Sequence, residues 1–568
     1  MIFQNKLFKT ANITFIMIWT VSVNAALYKV VEVIVPSEIS NLGKYTQTRG
    51  VAILPSFKGG ALGCFGTYCE SLDFPLAGET RIHIDAYNYR EESPFSMDRS
   101  FKYIQKDVDF ENYCYQELLY ATCSSWANKH WIARKKELEG STISNALAFV
   151  EYHVDAFPNE LNNVINGLTS SAKPIGNQSI IGKTRNRIVS PIYPKNNTSL
   201  KDWKEGRAWA IDNTNTYAVG SISREKSNIN GVHYTSKAAI WKNGEEPIEL
   251  NWPSNTENSN EFLAQGSMRD IVISDGYIYG VGFNSYEQNN YYNASVFKTS
   301  VENYDTPSNW LSIPIKNTQS KINGELIYSN SVAKSINNNL VIIGTAKRSG
   351  SKPYKGSASN RIFVIDDASA LEPYAIFLSG GIFFDGAGGK VGSINNYNEI
   401  VGQLDMENIR EKDGKPRRKR AFIYPYQGNG TNSIRSSIFN DRAYFLDDLT
   451  YGDTLNTPNG TSSSNNFYRI LDATDINDAG VISGTAIKCT DLNNNPKEYD
   501  NYTHNSHCDG TERIVAVKLI PIHNTNQIDI KTRAWDEIQT FERQHAGSLV
   551  WLALLYPFIF LIRKIRKK

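Results

Sequence analysis

The run Gly182, Lys183 and Thr184 carries the side chains with which a phosphate-binding loop grips a nucleotide, a lysine for charge and a hydroxyl for magnesium. Asn177 stands where the leading glycine belongs, and Ile180 and Ile181 have strand character, so this chemistry is set aside. The glycines from Gly380 to Gly392 likewise miss the dinucleotide spacing. Asp491, Asn493 and Asn495 begin as a calcium loop begins, with oxygen ligands on alternate residues. Pro496 then replaces the turning glycine and Tyr502 the bidentate glutamate, so an adventitious calcium ion is the most that site implies, and no cofactor is expected. His504 and His507 lie close to Cys508, the one corner where metal ligands gather in sequence. Neither H-E-x-x-H nor G-x-S-x-G occurs, and no catalytic residue is assigned. The densest basic patch, Lys415, Arg417, Arg418, Lys419 and Arg420, reads as a solvated hairpin arm, the alternative being contact with anionic glycan or lipid headgroups.

Six cysteines fall into three couples: Cys64 with Cys69, Cys114 with Cys123, and Cys489 with Cys508. An even number in an exported chain reads as disulfides, and local pairing is chosen because short loops bring partners together most readily. The couples lack the C-x2-C spacing of a zinc site.

These residues must be positioned by a repeated element. Five segments align on an isoleucine and a later glycine: Ile211 to Gly220, Ile273 to Gly282, Ile336 to Gly344, Ile394 to Gly402 and Ile476 to Gly484. Each reads as strand, Asn/Asp/Gly turn, strand and polar arm, followed by a further apolar strand such as Ala238 to Trp241 or Ala421 to Tyr424. The turn Asn and Asp residues tolerate left-handed backbone and bond their own main chain, so they are structural rather than metal ligands. A unit of this size cannot bury both faces alone, which predicts a mainly β fold of repeated antiparallel units, a β-propeller of five to seven blades. Tyr28 to Val35 is the strand expected to close the ring against Arg513 to Ile520, and a weaker copy of the unit is expected at Ile180 to Lys183. Phe110 to Gly140 has helical spacing, with Trp126 and Trp131 as core residues.

The two ends carry transport signals. Residues 1–25 run from Lys6 and Lys9 through an apolar stretch to small residues ending at Ala25, the layout of a signal peptide cut by signal peptidase. At the other end Ala546, Gly547 and Ser548 precede an apolar run, Leu549 to Ile562, closed by a basic cluster, a marginal transmembrane helix of roughly 21 Å interrupted by Pro557. The basic cluster places the body outside the inner membrane. This tail resembles the GlyGly-CTERM sorting signal of Gram-negative bacteria, which implies a rhomboid-type sorting protease cutting near Ala546 and Gly547. Here Ala546 replaces the first glycine, so a retained membrane anchor is the alternative. Between the termini the body carries 53 basic against 58 acidic residues, which gives no global attraction to nucleic acid.

The mature start ALYKVVEV, the CFGTYCE segment at Cys64 to Glu70, YREESPF at Tyr89 to Phe95, the INDAG-type turns and this tail together resemble an exported family, domain of unknown function 3466. The repeats also resemble the short HAF extracellular repeats. Neither resemblance implies an activity or a site residue.

The expected organisation is a signal peptide at 1–25, an N-terminal β segment at 26–93, a helical, Cys-containing insertion at 94–170, a β-repeat body at 171–525, a linker at 526–545 that includes a short polar helix from Asp529 to Gln544, and the tail at 546–568. The expected role is an interaction module of the cell envelope, anchored in the inner membrane facing the periplasm or sorted to the surface, with an envelope protein or glycan as ligand. The alternative is a polysaccharide-acting enzyme with carboxylates gathered at the propeller mouth. A structural envelope component without a small ligand fits the sequence equally well.

Overall fold

The computed structural model describes residues 26–82, 107–139, 146–152, 164–179, 189–192 and 206–534, with internal gaps, the longest at 116–121, 254–262, 348–353, 411–416 and 453–463. The signal peptide and Ala25, the segment Ile180 to Lys183 with Thr184, and the tail with Ala546 and Gly547 lie outside the described residues. Among the described residues no helix is long and apolar enough to cross a membrane.

The chain is mainly β, with antiparallel sheets and few helices. Seven sheets of three or four strands follow one another along the described chain, beside one two-stranded hairpin. The first holds Gln47–Ile53, Leu76–Arg81 and Ala146–Val150; the second Val164–Leu168, Pro174–Ser179 and Val189–Ile192; the third Gly206–Ile211, Tyr217–Asn228, Gly231–Lys242 and Ile248–Glu249. The fourth holds Gly266–Ser274, Tyr277–Ser285, Tyr292–Ser300 and Leu311–Pro314; the fifth Ser331–Ile336, Ile342–Lys347, Asn360–Ile365 and Ile376–Phe377. The sixth holds Gly389–Ile394, Glu399–Asp405, Lys419–Pro425 and Tyr444–Phe445. In the seventh, Tyr468–Ile476, Ile482–Thr490 and Thr511–Pro521 are completed by the N-terminal strand Tyr28–Glu32. That strand pairs as the sequence predicts, with Val30 opposite Leu519 and Glu32 opposite Val517.

The core lies in the seams between sheets, because each short sheet must cover its apolar faces with its neighbours. Ile165 and Leu168 pack with Val51 and Ala148 between the first two sheets, and Ile240 packs with Met268 and Phe297 between the third and fourth. Val401 and Ile423 meet Ile470 and Ile476 between the sixth and seventh. The last seam joins Ile53 and Phe149 of the first sheet to Val481 and Ala516 of the seventh, so the packing returns to where it began. Lys518 is buried at that closure, donating to Glu151 (2.8 Å) and to the carbonyls of Ser71 and Phe74.

The recurring glycine has a steric cause. The first strand of every sheet carries a β-bulge, and the residue before it pairs with a glycine of the second strand: Gly78, Gly176, Gly220, Gly282, Gly344, Gly402 and Gly484. The bulge tips a carbonyl toward the space a Cβ would fill. A Cβ would lie 1.7 Å from the Arg207 carbonyl oxygen at Gly220, 2.0 Å from that of Val164 at Gly176 and 2.0 Å from that of Ser267 at Gly282. Two copies, at Gly78 and Gly176, precede the five read from sequence.

The recurring asparagine has a double role. The Asn337 carboxamide oxygen accepts from the Asn339 and Val341 amides and closes its own turn, while its nitrogen donates to the Asn395 carbonyl at 2.9 Å. Asn395 repeats this toward the Asn477 carbonyl (3.1 Å), and Asn477 toward the Leu54 carbonyl (2.9 Å). These turn residues therefore bond their own main chain, as expected, and also tie the fifth sheet to the sixth, the sixth to the seventh and the seventh to the first.

Two expectations are corrected. The segment 94–170 contains the helices Asp107–Tyr113 and Ser124–Leu138, with Phe110, Ala127 and Trp131 buried together, yet Ala146–Val150 and Val164–Leu168 are strands of the first two sheets. Ala146–Val150 is buried throughout, and an apolar run without alternation does not distinguish strand from helix. Of the span Asp529 to Gln544 where a polar helix is expected, the described part is not helical: after the short turn Gln527–Asp529 the chain runs irregularly to Ala534, which bridges to Thr503, and Asp448 accepts the Arg533 amide. Residues 535–544 lie outside the described residues.

Candidate functional site

All six cysteines are paired locally, Cys64–Cys69, Cys114–Cys123 and Cys489–Cys508. Cys508 therefore has no thiolate to offer a metal, and among the described residues no group of three or more His, Cys, Asp or Glu is arranged to hold one. The Asp491 carboxylate accepts from the Asn493 and Asn495 amides (2.8 Å each) and the Asn495 side chain (2.9 Å), closing its own turn.

Two arginines of the basic arm are not solvated. Arg417 and Arg420 are 2% and 7% exposed. Arg417 donates to the carbonyls of Ile409 and Gly386 and to Asp405, and Arg420 to Asp447 (3.1 Å) and the His504 carbonyl (3.0 Å). Internal acceptors have replaced water for both guanidinium groups. Lys415 lies outside the described residues.

His504 belongs to the same buried cluster, its Nε2 3.1 Å from Asp448 and its Nδ1 3.8 Å from Asp447. Burial alone would lower its pKa, but the bonds and charges of Asp447 and Asp448 raise it to about 9. Burial pushes the Asp447 carboxyl upward, and His504 with the charges of Arg420 and Arg469 outweighs this, holding it well below the carboxylate range. Arg533 adds a bond to the Asp447 carbonyl, so the cluster fastens the chain's exit to the sixth and seventh sheets. Its parts come from Arg420, Asp447, His504 and Arg533, and no local motif announces it.

The bulges bring a second polar set together. The inserted residues include Asn166, Trp209, Arg269, Lys334 and Thr474, and they reach the next sheet. Asn166 donates to the Ala208 carbonyl (2.8 Å), Lys334 to that of Val391 (2.8 Å) and Thr474 to that of Gly50 (3.1 Å), while the Arg269 guanidinium lies 3.6 Å from the Trp209 ring centroid. One residue on, Asp270 accepts from the Ser335 hydroxyl (2.7 Å) and the Ile336 amide (3.0 Å), and Asp475 from the Ile53 amide (3.0 Å). Both carboxylates also accept from the next amide in their own chain. Burial raises both pKa values, that of Asp475 to about 6. Their lone pairs are occupied by protein donors, the arrangement of structural acceptors rather than of a glycosidase pair facing substrate.

A raised folded-state pKa means that the native state holds its proton where the unfolded chain has lost it. Asp475 therefore contributes stability that is full below pH 3.8 and lost as pH rises through about 6. Asp475→Asn should remove this contribution, so that the variant gains on the wild type, by on the order of 1–3 kcal/mol, between pH 4 and pH 7. Paired urea titrations over that range check it; a constant difference between the two proteins contradicts it.

Among the described residues, one feature with room for a ligand is a cleft of about 480 Å³ at the fourth sheet, lined by Tyr286, Glu287, Tyr291, Asn293, Pro314, Ile315, Lys316, Asn317, Gln319 and Lys321. Tyr286 follows the second strand and anchors its hydroxyl between Ser295 and Ser312, 2.8 Å from each. Burial pushes that hydroxyl's pKa up to about 12, so it stays neutral and the ring is held as a rigid wall. Asn293 is fixed by the Thr318 hydroxyl (2.7 Å). Lys316 sits on a backbone bridge to the edge of the fifth sheet, its amide bonding the Pro373 carbonyl (2.8 Å) and its carbonyl the Ala375 amide (3.1 Å). Aromatic and apolar walls with a few convergent amides and charges, at this volume, suit a small polar molecule with apolar faces.

Residues 212–564 match the model of a family described as "Protein of unknown function (DUF3466)". The chain belongs to that family. The DUF3466 match begins at the turn of the third sheet, so the first two sheets precede it. No curated protein matches the chain. Among solved structures it is similar to a GH32 β-fructofuranosidase of Bombyx mori, at 10% identity and a TM-score of 0.20 over 42% of this chain and 53% of that one. It is also similar to a Trypanosoma rangeli sialidase in complex with sialic acid, at 10% identity and a TM-score of 0.27 over 87% and 59%. A Bacillus subtilis arabinanase gives 8% identity and a TM-score of 0.20 over 54% and 89%. The chain thus spans only 53% and 59% of the first two, and similarity this slight carries no argument about activity.

Proposed function

We propose that this DUF3466 chain is an exported saccharide-binding module of the cell envelope, its seven sheets the blades of a propeller and its ligand site the cleft at the fourth. Support for the propeller comes from sheets that pack in chain order, a seventh that packs on the first, and an N-terminal strand that completes the last sheet. Three disulfides support an oxidising compartment, in keeping with the signal-like residues 1–25. The tail at 546–568 then either anchors the body in the inner membrane or directs it to the surface after cleavage near Gly547. The bulge carboxylates lend no support to the enzyme alternative, since both are held by protein donors.

The observation that carries the reading is the cleft itself, in which Tyr286 and Tyr291 offer ring surface beside the amides of Asn293, Asn317 and Gln319. Sugars present C–H faces to rings and hydroxyls to amides, and such a site gains affinity from pre-organisation. Calorimetry of the purified chain against envelope oligosaccharides should find a ligand whose affinity falls at least tenfold on Tyr291→Ala, with melting temperature unchanged. Absence of any saccharide ligand, or binding indifferent to Tyr291→Ala, would overturn it.

A further inference from the structure

The cleft holds more positive than negative charge, with Lys316 and Lys321 against Glu287, on a body whose balance is acidic at 53 basic to 58 acidic residues. Both lysines are carried on hydrogen-bonded backbone. Lys316 sits on the bridge between the fourth and fifth sheets, and Lys321 pairs with Leu326 in the two-stranded hairpin. The Lys316 ammonium lies 3.8 Å from the Glu372 carboxylate, and both side chains are more than half exposed, so this pair competes weakly for the charge. Lys316 and Lys321 line the same cleft as Asn317, Gln319 and the rings of Tyr286 and Tyr291, which puts aromatic surface, side-chain amides and cationic groups around one space.

Resting on the proposed saccharide-binding reading, we infer that the ligand class is a carboxylate-bearing saccharide, its sugar face against Tyr286 and Tyr291 and its carboxylate met by Lys316 and Lys321. A lysine ammonium is a compact point charge that tolerates varied carboxylate geometry, and a half-exposed site of this kind is sensitive to ionic strength. Neutral saccharides keep the ring and amide contacts and lose the ionic ones.

The test uses galacturonate and mannuronate oligomers, each beside its methyl ester, titrated into the full chain at 50 and 500 mM NaCl. The inference expects the acid form to bind at least tenfold more tightly than the ester at low salt, with most of that advantage lost at high salt. In the Lys316→Gln, Lys321→Gln variant the acid should lose its advantage, binding no more tightly than the ester does to that same variant. Equal binding of acid and ester overturns the inference and leaves the saccharide reading standing. Acid preference that survives the double variant overturns the assignment to this cleft, and failure of every oligomer to bind overturns both readings.

Discussion

Arg435→Met should destabilise the protein by about 3–5 kcal/mol, the cost of leaving a buried charge without its partner. Arg435 and Glu399 are both fully buried, joined by two parallel bonds of 2.6 and 2.9 Å. The guanidinium lies over the rings of Phe65 and Tyr397, and Glu399 accepts a further bond from Asn395. Burial works against the Arg435 charge, and Glu399 more than offsets it, so its pKa rises rather than falls. Arg435 also donates to the Ala61 carbonyl, so the pair ties the sixth sheet to the loop that carries Cys64. The double variant Arg435→Met, Glu399→Met should recover much of the loss, because no unpaired charge remains. Chemical denaturation of the two variants checks both statements, and a loss under 1 kcal/mol for the single variant contradicts the first.

The glycine set makes a graded prediction. Gly220→Ala and Gly282→Ala, whose new methyl groups would lie 1.7 and 2.0 Å from a backbone carbonyl oxygen, should cost about 3 kcal/mol or more, since neither atom can move without breaking the bulge. Gly484→Ala meets its nearest atom at 3.0 Å and should cost about 1 kcal/mol. Thermal melts of the three variants check the order. Equal losses would mean that the bulges do not set the repeat.

The contrast among these glycines explains what was legible beforehand. Five units stood out because an isoleucine and a polar turn precede the glycine by eight or nine residues, and both marks have causes: the bulge demands the glycine, and in the last three units the inter-sheet bond demands the asparagine amide. The first two sheets lack the turn. In one, the chain between Ile53 and Leu76 is occupied by the Cys64–Cys69 loop, and in the other the connection is Thr169–Lys173. Only the glycines, Gly78 and Gly176, remained as signal. Local cysteine pairing was readable for the same short-range reason. The cleft and the Asp447–His504 cluster were not, because Tyr286 meets Lys321, and Asp447 meets His504 and Arg533, only once distant loops are brought together. The basic arm misled because charge density in sequence is silent about internal acceptors such as Asp405 and Asp447.

The proposed ring of sheets rests on a seventh member that is completed by the N-terminal strand Tyr28–Glu32. Amide exchange of the strand Tyr28–Glu32, followed by mass spectrometry beside that of its partner Thr511–Pro521, tests this directly. The two segments should exchange together, slowly, and be released only with global unfolding. Exchange of Tyr28–Glu32 within seconds, while Thr511–Pro521 stays protected, would contradict the closure and with it the ring.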